Sequence, residues 1–181
     1  MKNILRNEIL KLKNTKRVDQ KILASHLEFL EKEKEFTRPQ NSFHHFGIYF
    51  LPIHRPSNSI FLVHHKKAAQ WIPPGEHLEK GETPVEAVIR GCQEELQYSP
   101  KKDTVKLFDL SIVGIRNLRS RPCRRHYDIW YLVEVEDKIS FMWDRREFHE
   151  TKWFMVKDAI KKVKRLNYNK VIERLWKKQP Y

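Results

Sequence analysis

The chain has 181 residues, of which 40% are hydrophobic and 33% charged, so we expect a single domain with a substantial core and exclude disorder of the whole chain. No stretch approaches the roughly 20 apolar residues that cross a bilayer, and charges interrupt residues 1–10 where a signal peptide needs an apolar centre, so we expect a cytoplasmic protein with no membrane partner. The formal net charge of +13 favours polyanionic ligands, although the basic residues near both ends equally suit solvated helix faces.

The pattern of the N-terminal region changes from helix to strand. Apolar residues recur at helical spacing from Ile4 to about Phe36, which predicts one broken helix or two short ones. Turn-forming residues at 37–41 end this stretch. Apolar runs at 45–53 and 59–65, separated by a turn at 55–58, predict two strands. We therefore divide the chain into an N-terminal helical extension, residues 1–38, and a main domain, residues 39–181.

The main domain contains one strongly marked helix between further strands. Thr83 is the predicted N-cap, Pro84 the first helical residue and Glu86 the second half of a capping box, so a helix should run from residue 83 to about residue 97. Strands are predicted at 105–116, 125–136 and 151–156, followed by a helical region at 157–178 that is interrupted near Asn167. This order predicts an α+β fold in an α/β/α arrangement.

Three glutamates are predicted to lie around the guanidinium of Arg90. On a helical wheel Glu94 lies about 40° from Arg90 and Glu95 about 140°, while Glu79 belongs to the preceding loop. Clustered carboxylates repel one another unless a hard cation such as Mg²⁺ or Mn²⁺ offsets their charge, and such an ion would also bind phosphate oxygens. The alternative is a solvated helix face on which Arg90 pairs with glutamates four residues away.

Residues 74–98 resemble the Nudix box, Gly-x5-Glu-x7-Arg-Glu-(apolar)-x-Glu-Glu-x-Gly-(apolar), and the spacing holds without a gap. Glu82 matches the first glutamate of the box, Arg90 its arginine, and Glu94 and Glu95 its paired glutamates. The resemblance, which extends over about residues 40 to 160, implies a Nudix-like α/β/α sandwich with a mixed β-sheet. It also implies that Glu94, Glu95 and the backbone carbonyl of Gly75 hold the metal, and that Glu82 pairs with Arg90 to brace the loop.

Three positions depart from the box: Glu76 replaces its first glycine, Gly91 the glutamate after the arginine, and Gln97 its last glycine. Gly91 matters most because relatives carry a carboxylate there as a ligand or general base. We expect Gly91→Glu to stabilise the helix by up to about 1 kcal/mol, provided that a metal offsets the added charge, since glycine is a poor helix former. The site residues are completed by Glu79, as a further metal ligand, and by the general base, for which Glu147 is favoured over its acidic neighbours Asp144 and Glu150.

A loop rich in arginine lies between two predicted strands. Guanidinium groups suit two-point recognition of phosphate, so Arg116, Arg124 and Arg125 are predicted to bind phosphate. A solvated basic loop is the alternative.

A zinc site is not predicted from the sequence. His77, His126 and Asp128 suggest one, but no fourth ligand is evident, so each histidine is interpreted as an ordinary hydrogen-bonded residue. Cys92 and Cys123 lack the spacing of zinc ligands and are expected to be free thiols.

The resulting functional prediction is a metal-dependent hydrolase that cleaves a pyrophosphate bond in a nucleoside-diphosphate-linked substrate. The alternative is a catalytically impaired Nudix-like module that binds nucleotides or RNA ends. A protein that only binds nucleic acid through its basic helices is not favoured, because aromatic and basic residues are not interleaved as in stacking platforms. Homodimerisation through the N-terminal helices stays open.

Overall fold

The computed structural model describes residues 1–16, 18–115 and 122–176. The described residues contain five α-helices: α1 (Lys2–Leu10), α2 (Gln20–Lys32), α3 (Pro84–Leu96), α4 (Val156–Lys162) and α5 (Leu166–Trp176). They also contain seven strands: β1 (His44–His54), β2 (Ser59–His65), β3 (Gln70–Ile72), β4 (Gly75–His77), β5 (Val105–Gly114), β6 (Arg125–Glu134) and β7 (Phe148–Met155). Among these residues, no helix is long and apolar enough to cross a membrane.

All seven strands join one mixed sheet. Its main path runs β3-β2-β1-β6-β5, with β4 paired to β1 and β7 paired to β2. Strands β1 and β6 are parallel over ten residue pairs, and the other pairings are antiparallel. The long strand β1 is almost entirely buried and connects the two halves of the sheet, as its near-continuous apolar sequence requires.

Helices cover both faces of the sheet. On one face, the Phe29 ring of α2 stacks on Tyr127 at 4.0 Å, and Gly91 of α3 lies against the Phe50 ring. On the other face, Tyr168 of α5 packs against Tyr49 and Trp130, with ring centroids 4.7 and 5.1 Å apart. Side chains alternate along a strand, so neighbouring residues of β1 face different helices. The predicted α/β/α arrangement is confirmed.

The N-terminal helices pack on the same core as the main domain. The apolar residues that predicted them, including Leu5, Ile9 and Leu30, are buried within this chain. The Tyr131 hydroxyl also donates to Glu8 at 2.8 Å. The boundary at residue 38 and dimerisation through these helices both remain predictions.

The predicted helix boundaries agree closely with α3. The Thr83 hydroxyl accepts from the Glu86 backbone N–H, and the Glu86 carboxylate accepts from the Thr83 backbone N–H, as the capping box predicts. The C-cap residue Gln97 is left-handed, with φ +48. Glycine adopts this conformation without strain, which explains why the box ends on glycine. Strands β3 and β4 were not predicted, because residues 70–77 contain Pro73, Pro74 and Gly75 and have the composition of a loop.

Candidate functional site

Arg90 of α3 connects the helix to the preceding loop and strand. Its Nε and Nη2 donate to the Glu82 carboxylate at 2.8 and 3.1 Å, a two-point pair. Nη2 also donates to the backbone carbonyl of His77 in β4 at 3.0 Å. The turn before the helix contains Gly81 at φ +87, a conformation that favours glycine. The loop therefore has a defined shape at the start of α3.

The remaining guanidinium nitrogen of Arg90 faces three more carboxylates. Nη1 lies 3.2 Å from Glu94, 3.8 Å from Glu76 and 4.0 Å from Glu79. One positive charge thus serves four carboxylates, together with Glu82. Charge repulsion in such a group is relieved by a cation. We call Arg90's partners and two further glutamates the carboxylate cluster: Glu76, Glu79, Glu82, Glu94, Glu95 and Glu147.

Glu95 is the buried member of the carboxylate cluster. It is 5% exposed, and its Oε2 has no hydrogen-bond partner. Burial raises its pKa well above the ordinary range, the charges of Glu76 and Glu147 raise it further, and a hydrogen bond from the Gly75 backbone lowers it. The helical wheel predicted both Glu94 and Glu95 around the Arg90 guanidinium, but it did not predict that Glu94 is exposed while Glu95 is buried. A buried carboxylate oxygen without a donor is a costly feature that a bound cation would satisfy.

Glu76 was missed as a site residue. It stands on β4, and its Cγ lies 2.9 Å from the position that a Cβ on Gly91 would occupy. The same Cβ would lie 2.8 Å from Cε1 of the buried Phe50 ring. The side chain of Glu76 therefore fills the space beside Gly91. Gly91→Glu would overpack this space, so the expectation that it stabilises the helix is corrected.

The later acidic loop approaches the carboxylate cluster through Glu147. Its charge raises the pKa of Glu76 and of Glu95, behind burial as the main cause. The Asp144 backbone N–H donates to the Glu95 carbonyl at 3.2 Å, which holds this loop against the end of α3. The Asp144 carboxylate pairs with Arg146 at 2.7 Å. The charge of Glu147 therefore acts on Glu76 and Glu95, and its carboxylate lies 3.8 Å from Lys67 Nζ, whereas the carboxylate of Asp144 pairs closely with Arg146.

The described arginines of the basic loop have other partners. Arg124 lies over the Phe43 ring at 5.8 Å, and Arg125 lies 3.5 Å from the Tyr127 hydroxyl in a surface groove beside α2. Neither contact involves the carboxylate cluster. Arg116 lies outside the described residues. The phosphate-binding role of these arginines remains a prediction.

Three histidines come together on the opposite face of the sheet. The rings of His45, His77 and His126 have centroids 4.6 to 5.2 Å apart. Cys123 lies beside them, with Sγ 3.8 Å from His45 Nε2. Burial lowers the pKa of all three imidazoles, to about 3 for His77, and keeps them neutral. The sequence argument against a zinc site missed His45 and set Cys123 aside because of its spacing. The clustered groups are the three histidines, and Asp128 is not among them.

A family model described as "NUDIX domain" matches residues 43–175. The "Probable DHNTP pyrophosphohydrolase" of Lactococcus lactis subsp. cremoris (strain MG1363) is 28% identical over 83 residues, which are 45% of this chain and 49% of that protein. The chain therefore aligns with about half the length of this curated relative.

Solved structures resemble the fold over 72 to 83% of the chain at low sequence identity. The E. coli dihydroneopterin triphosphate pyrophosphohydrolase has a TM-score of 0.63 at 19% identity and covers 78% of this chain and 97% of its own. A C. elegans Ap4A hydrolase has a TM-score of 0.55 at 15% identity, with 72% and 96% covered. The NUDIX domain of Shewanella oneidensis NrtR, solved with ADP ribose, has a TM-score of 0.60 at 13% identity, with 83% and 96% covered. At these identities the likeness concerns the fold.

Proposed function

The chain belongs to the Nudix family, and from this premise we propose that it is a metal-dependent hydrolase that cleaves a pyrophosphate bond in a nucleoside-diphosphate-linked substrate. One observation carries the proposal: the Nudix box places the buried, unpartnered Oε2 of Glu95 among carboxylates that share one guanidinium. Such an excess of oxygen ligands suits a hard divalent cation, Mg²⁺ or Mn²⁺.

The residues that would hold the cation are Glu94, Glu95, Glu79, Glu76 and the backbone carbonyl of Gly75. When bound, the cation would polarise the phosphoryl group, neutralise developing charge and lower the pKa of an attacking water. Glu95 would gain a partner for an oxygen that now has none. The positive charge would also lower the repulsion that raises the pKa values of Glu76 and Glu95.

Glu82 and Arg90 would act as positioning residues. Their two-point pair occupies both oxygens of Glu82, at 2.8 and 3.1 Å. Arg90 also donates a hydrogen bond to the backbone carbonyl of His77, the residue after Glu76. Together these bonds hold the loop, β4 and α3 in one geometry, so that the carboxylates converge before substrate arrives.

Glu76 would supply the carboxylate that Gly91 lacks. The family box has glycine in the strand and glutamate on the helix, whereas this chain has Glu76 in the strand and Gly91 on the helix. The 2.9 Å separation from a Cβ at Gly91 supports an exchange of position rather than a loss of charge. Glu147 is the proposed general base, because it lies on the loop that a backbone hydrogen bond holds against the end of α3, and its ion-pair partner among the described residues, Lys67, is 3.8 Å away.

The proposal is tested with a panel of phosphoanhydride substrates in the presence of Mg²⁺ or Mn²⁺. The panel contains nucleoside diphosphate sugars, ADP-ribose, dihydroneopterin triphosphate and diadenosine tetraphosphate. We expect metal-dependent cleavage of at least one member, lost in Glu95→Gln and in Glu94→Gln together with Mn²⁺ affinity. Glu31→Gln on α2, whose partners are Lys2 and Arg6, is the matched control and should retain both properties. Unchanged Mn²⁺ affinity in both box variants would contradict the metal assignment.

A second candidate function is a binding module for nucleotides or RNA ends, favoured by the missing box carboxylate at Gly91. The NrtR domain with the same fold was solved with ADP ribose. Isothermal titration separates the two functions. A module would bind one panel member and leave it intact in the presence of Mg²⁺, whereas an enzyme would release products.

A further inference from the structure

A second cluster of metal-ligating side chains lies outside the carboxylate cluster. We propose that His45, His77, His126 and Cys123 form a site for a transition-metal dication of the zinc type. This site lies on the α5 face of the sheet, whereas Glu76 faces α3.

The strand register brings the ligands together. His45 of β1 is the direct partner of His126 in β6, and His77 of β4 is the partner of Gly47, two residues along β1 from His45. Residues two apart face the same side of a strand, so all three imidazoles share one face. Gly47 has no side chain, and a Cβ there would lie 2.6 Å from Asp128 Oδ1. Glycine at position 47 therefore leaves room for the Asp128 carboxylate on this crowded face.

The three imidazoles lie wider apart than the ligands of a tetrahedral site, and Cys123 stands beside their group through its contact with His45. The three imidazole ligand atoms all lie within 4.8 Å of one another. Tetrahedral zinc with bonds of about 2.0 to 2.1 Å to nitrogen and about 2.3 Å to sulfur separates its ligand atoms by roughly 3.3 to 3.6 Å. Cys123 Sγ and His45 Nε2, at 3.8 Å, are already near this separation. Side-chain rotations that shift the ring nitrogens by about 1 Å and turn the Cys123 thiol toward His77 and His126 would complete the geometry.

The surroundings of two ligands are those of metal-binding histidines. His45 Nδ1 lies 2.8 Å from the Asn41 carbonyl, a bond in which the ring must donate its proton, so Nε2 keeps a free lone pair. His126 Nε2 is buried and has no hydrogen-bond partner. A buried ring nitrogen without a partner is costly, and a bound metal would satisfy it. These two observations are independent of the clustering itself.

The ligand set selects the ion and its role. Three imidazoles and a thiol suit Zn²⁺ or Co²⁺, and they do not suit Mg²⁺, which prefers oxygen. Four protein ligands leave no open position, so the site is structural. A bound metal would connect the first residues of β1 and β6 to β4. It would also hold in place the segment before β6 that contains Cys123.

The test is titration of chelator-treated, full-length protein with Co²⁺ in the presence of excess Mg²⁺, which fills oxygen-rich sites. We expect one equivalent to bind, with the visible absorption of tetrahedral Co²⁺ and a sulfur-to-cobalt charge-transfer band. Cys123→Ser should remove that band, and His126→Asn should weaken Co²⁺ affinity at least about 10-fold. Cys92→Ser, which changes the buried cysteine of α3, is the matched control and should leave the spectrum unchanged. Glu95→Gln should also retain it, which separates this site from the carboxylate cluster.

A measurement on the wild-type chain avoids any dependence on variant folding. Zn²⁺ should slow alkylation of Cys123 at least about 10-fold, as followed by peptide mass spectrometry, because a metal-bound thiolate is not available for reaction. Absence of stoichiometric Co²⁺ uptake by folded wild-type protein would overturn the site. A spectrum lost in His126→Asn but unchanged in Cys123→Ser would overturn the four-ligand assignment.

Discussion

The exchange between Glu76 and Gly91 makes a sharp prediction for Gly91→Glu. The new Cβ would lie 2.8 Å from Phe50 Cε1 and 2.9 Å from Glu76 Cγ, closer than real Cβ contacts. Overpacking a buried site costs about 1–3 kcal/mol, and the gain in helix propensity is up to about 1 kcal/mol. We therefore expect Gly91→Glu to lower the free energy of unfolding by about 1–2 kcal/mol, measured by urea denaturation.

Combining Gly91→Glu with Glu76→Gly should recover part of this loss. The double variant removes one of the two close contacts and restores the arrangement of the family box, although the contact with Phe50 remains. We expect a favourable coupling energy of about 1 kcal/mol in the double-mutant cycle, in the range of residues that touch. Mn²⁺ affinity should fall at least about 10-fold in Glu76→Gly and return at least partly in the double variant.

Glu76→Gln separates charge from packing, because it keeps the side-chain volume. It should bind Mn²⁺ as weakly as Glu76→Gly, and its kcat should fall if substrate turnover depends on the same metal. Electron paramagnetic resonance of Mn²⁺ measures binding without reference to turnover. Additive unfolding free energies in the cycle, together with wild-type Mn²⁺ affinity in Glu76→Gln, would refute the exchange.

Three further predictions concern stability. Burial lowers the pKa of His26 from 6.5 to about 4. Between these pH values the unfolded protein therefore binds more protons than the folded protein. The free energy of unfolding should fall as the pH drops through this range, by up to about 3 kcal/mol. The difference in unfolding free energy between wild type and His26→Gln should change by that order between pH 7 and pH 4, and a constant difference would refute it. Gln97→Gly should raise the unfolding free energy by about 1 kcal/mol, because Gln97 is left-handed at φ +48; an unchanged urea midpoint would count against that strain. Arg90→Lys should cost about 1–3 kcal/mol, since lysine cannot reproduce the two-point pair of an arginine that is only 21% exposed. Arg146→Lys, at a side chain that is 90% exposed, should cost clearly less. Equal costs in the two arginine variants would contradict this reasoning.

Local signals in the sequence predicted the local structure well. The capping box at Thr83 and Glu86 depends on residues three apart, so it could be predicted directly and is confirmed in α3. The pairing of Arg90 with Glu82 followed from the family pattern and is present at 2.8 Å. Spacing along one helix and its adjoining loop contains the information for both features.

Features that depend on strand register could not be predicted in the same way. Glu76 meets Gly91, and His45 meets His126, only because β4 and β6 pair with β1 at particular residues. Strand β4 itself was hidden by the two prolines before it and by the glycine with which it begins. The burial of Glu95 also depends on tertiary packing. A helical wheel contains no information about what covers each side of the helix, so it could not predict this burial.

The three-residue strand β4 has a consequence for how the two faces of the sheet can change. Glu76 and His77 are consecutive, and the pleat directs one toward α3 and the other toward α5. A deletion of one residue here would therefore present an imidazole to the glutamates and a carboxylate to the histidines in a single step. Insertions and deletions in this strand should be far less tolerated than substitutions at either residue, which a scanning library selected for folded protein would measure. An insertion or deletion in this strand therefore changes both faces of the sheet at once, so neither face can change in this way without the other.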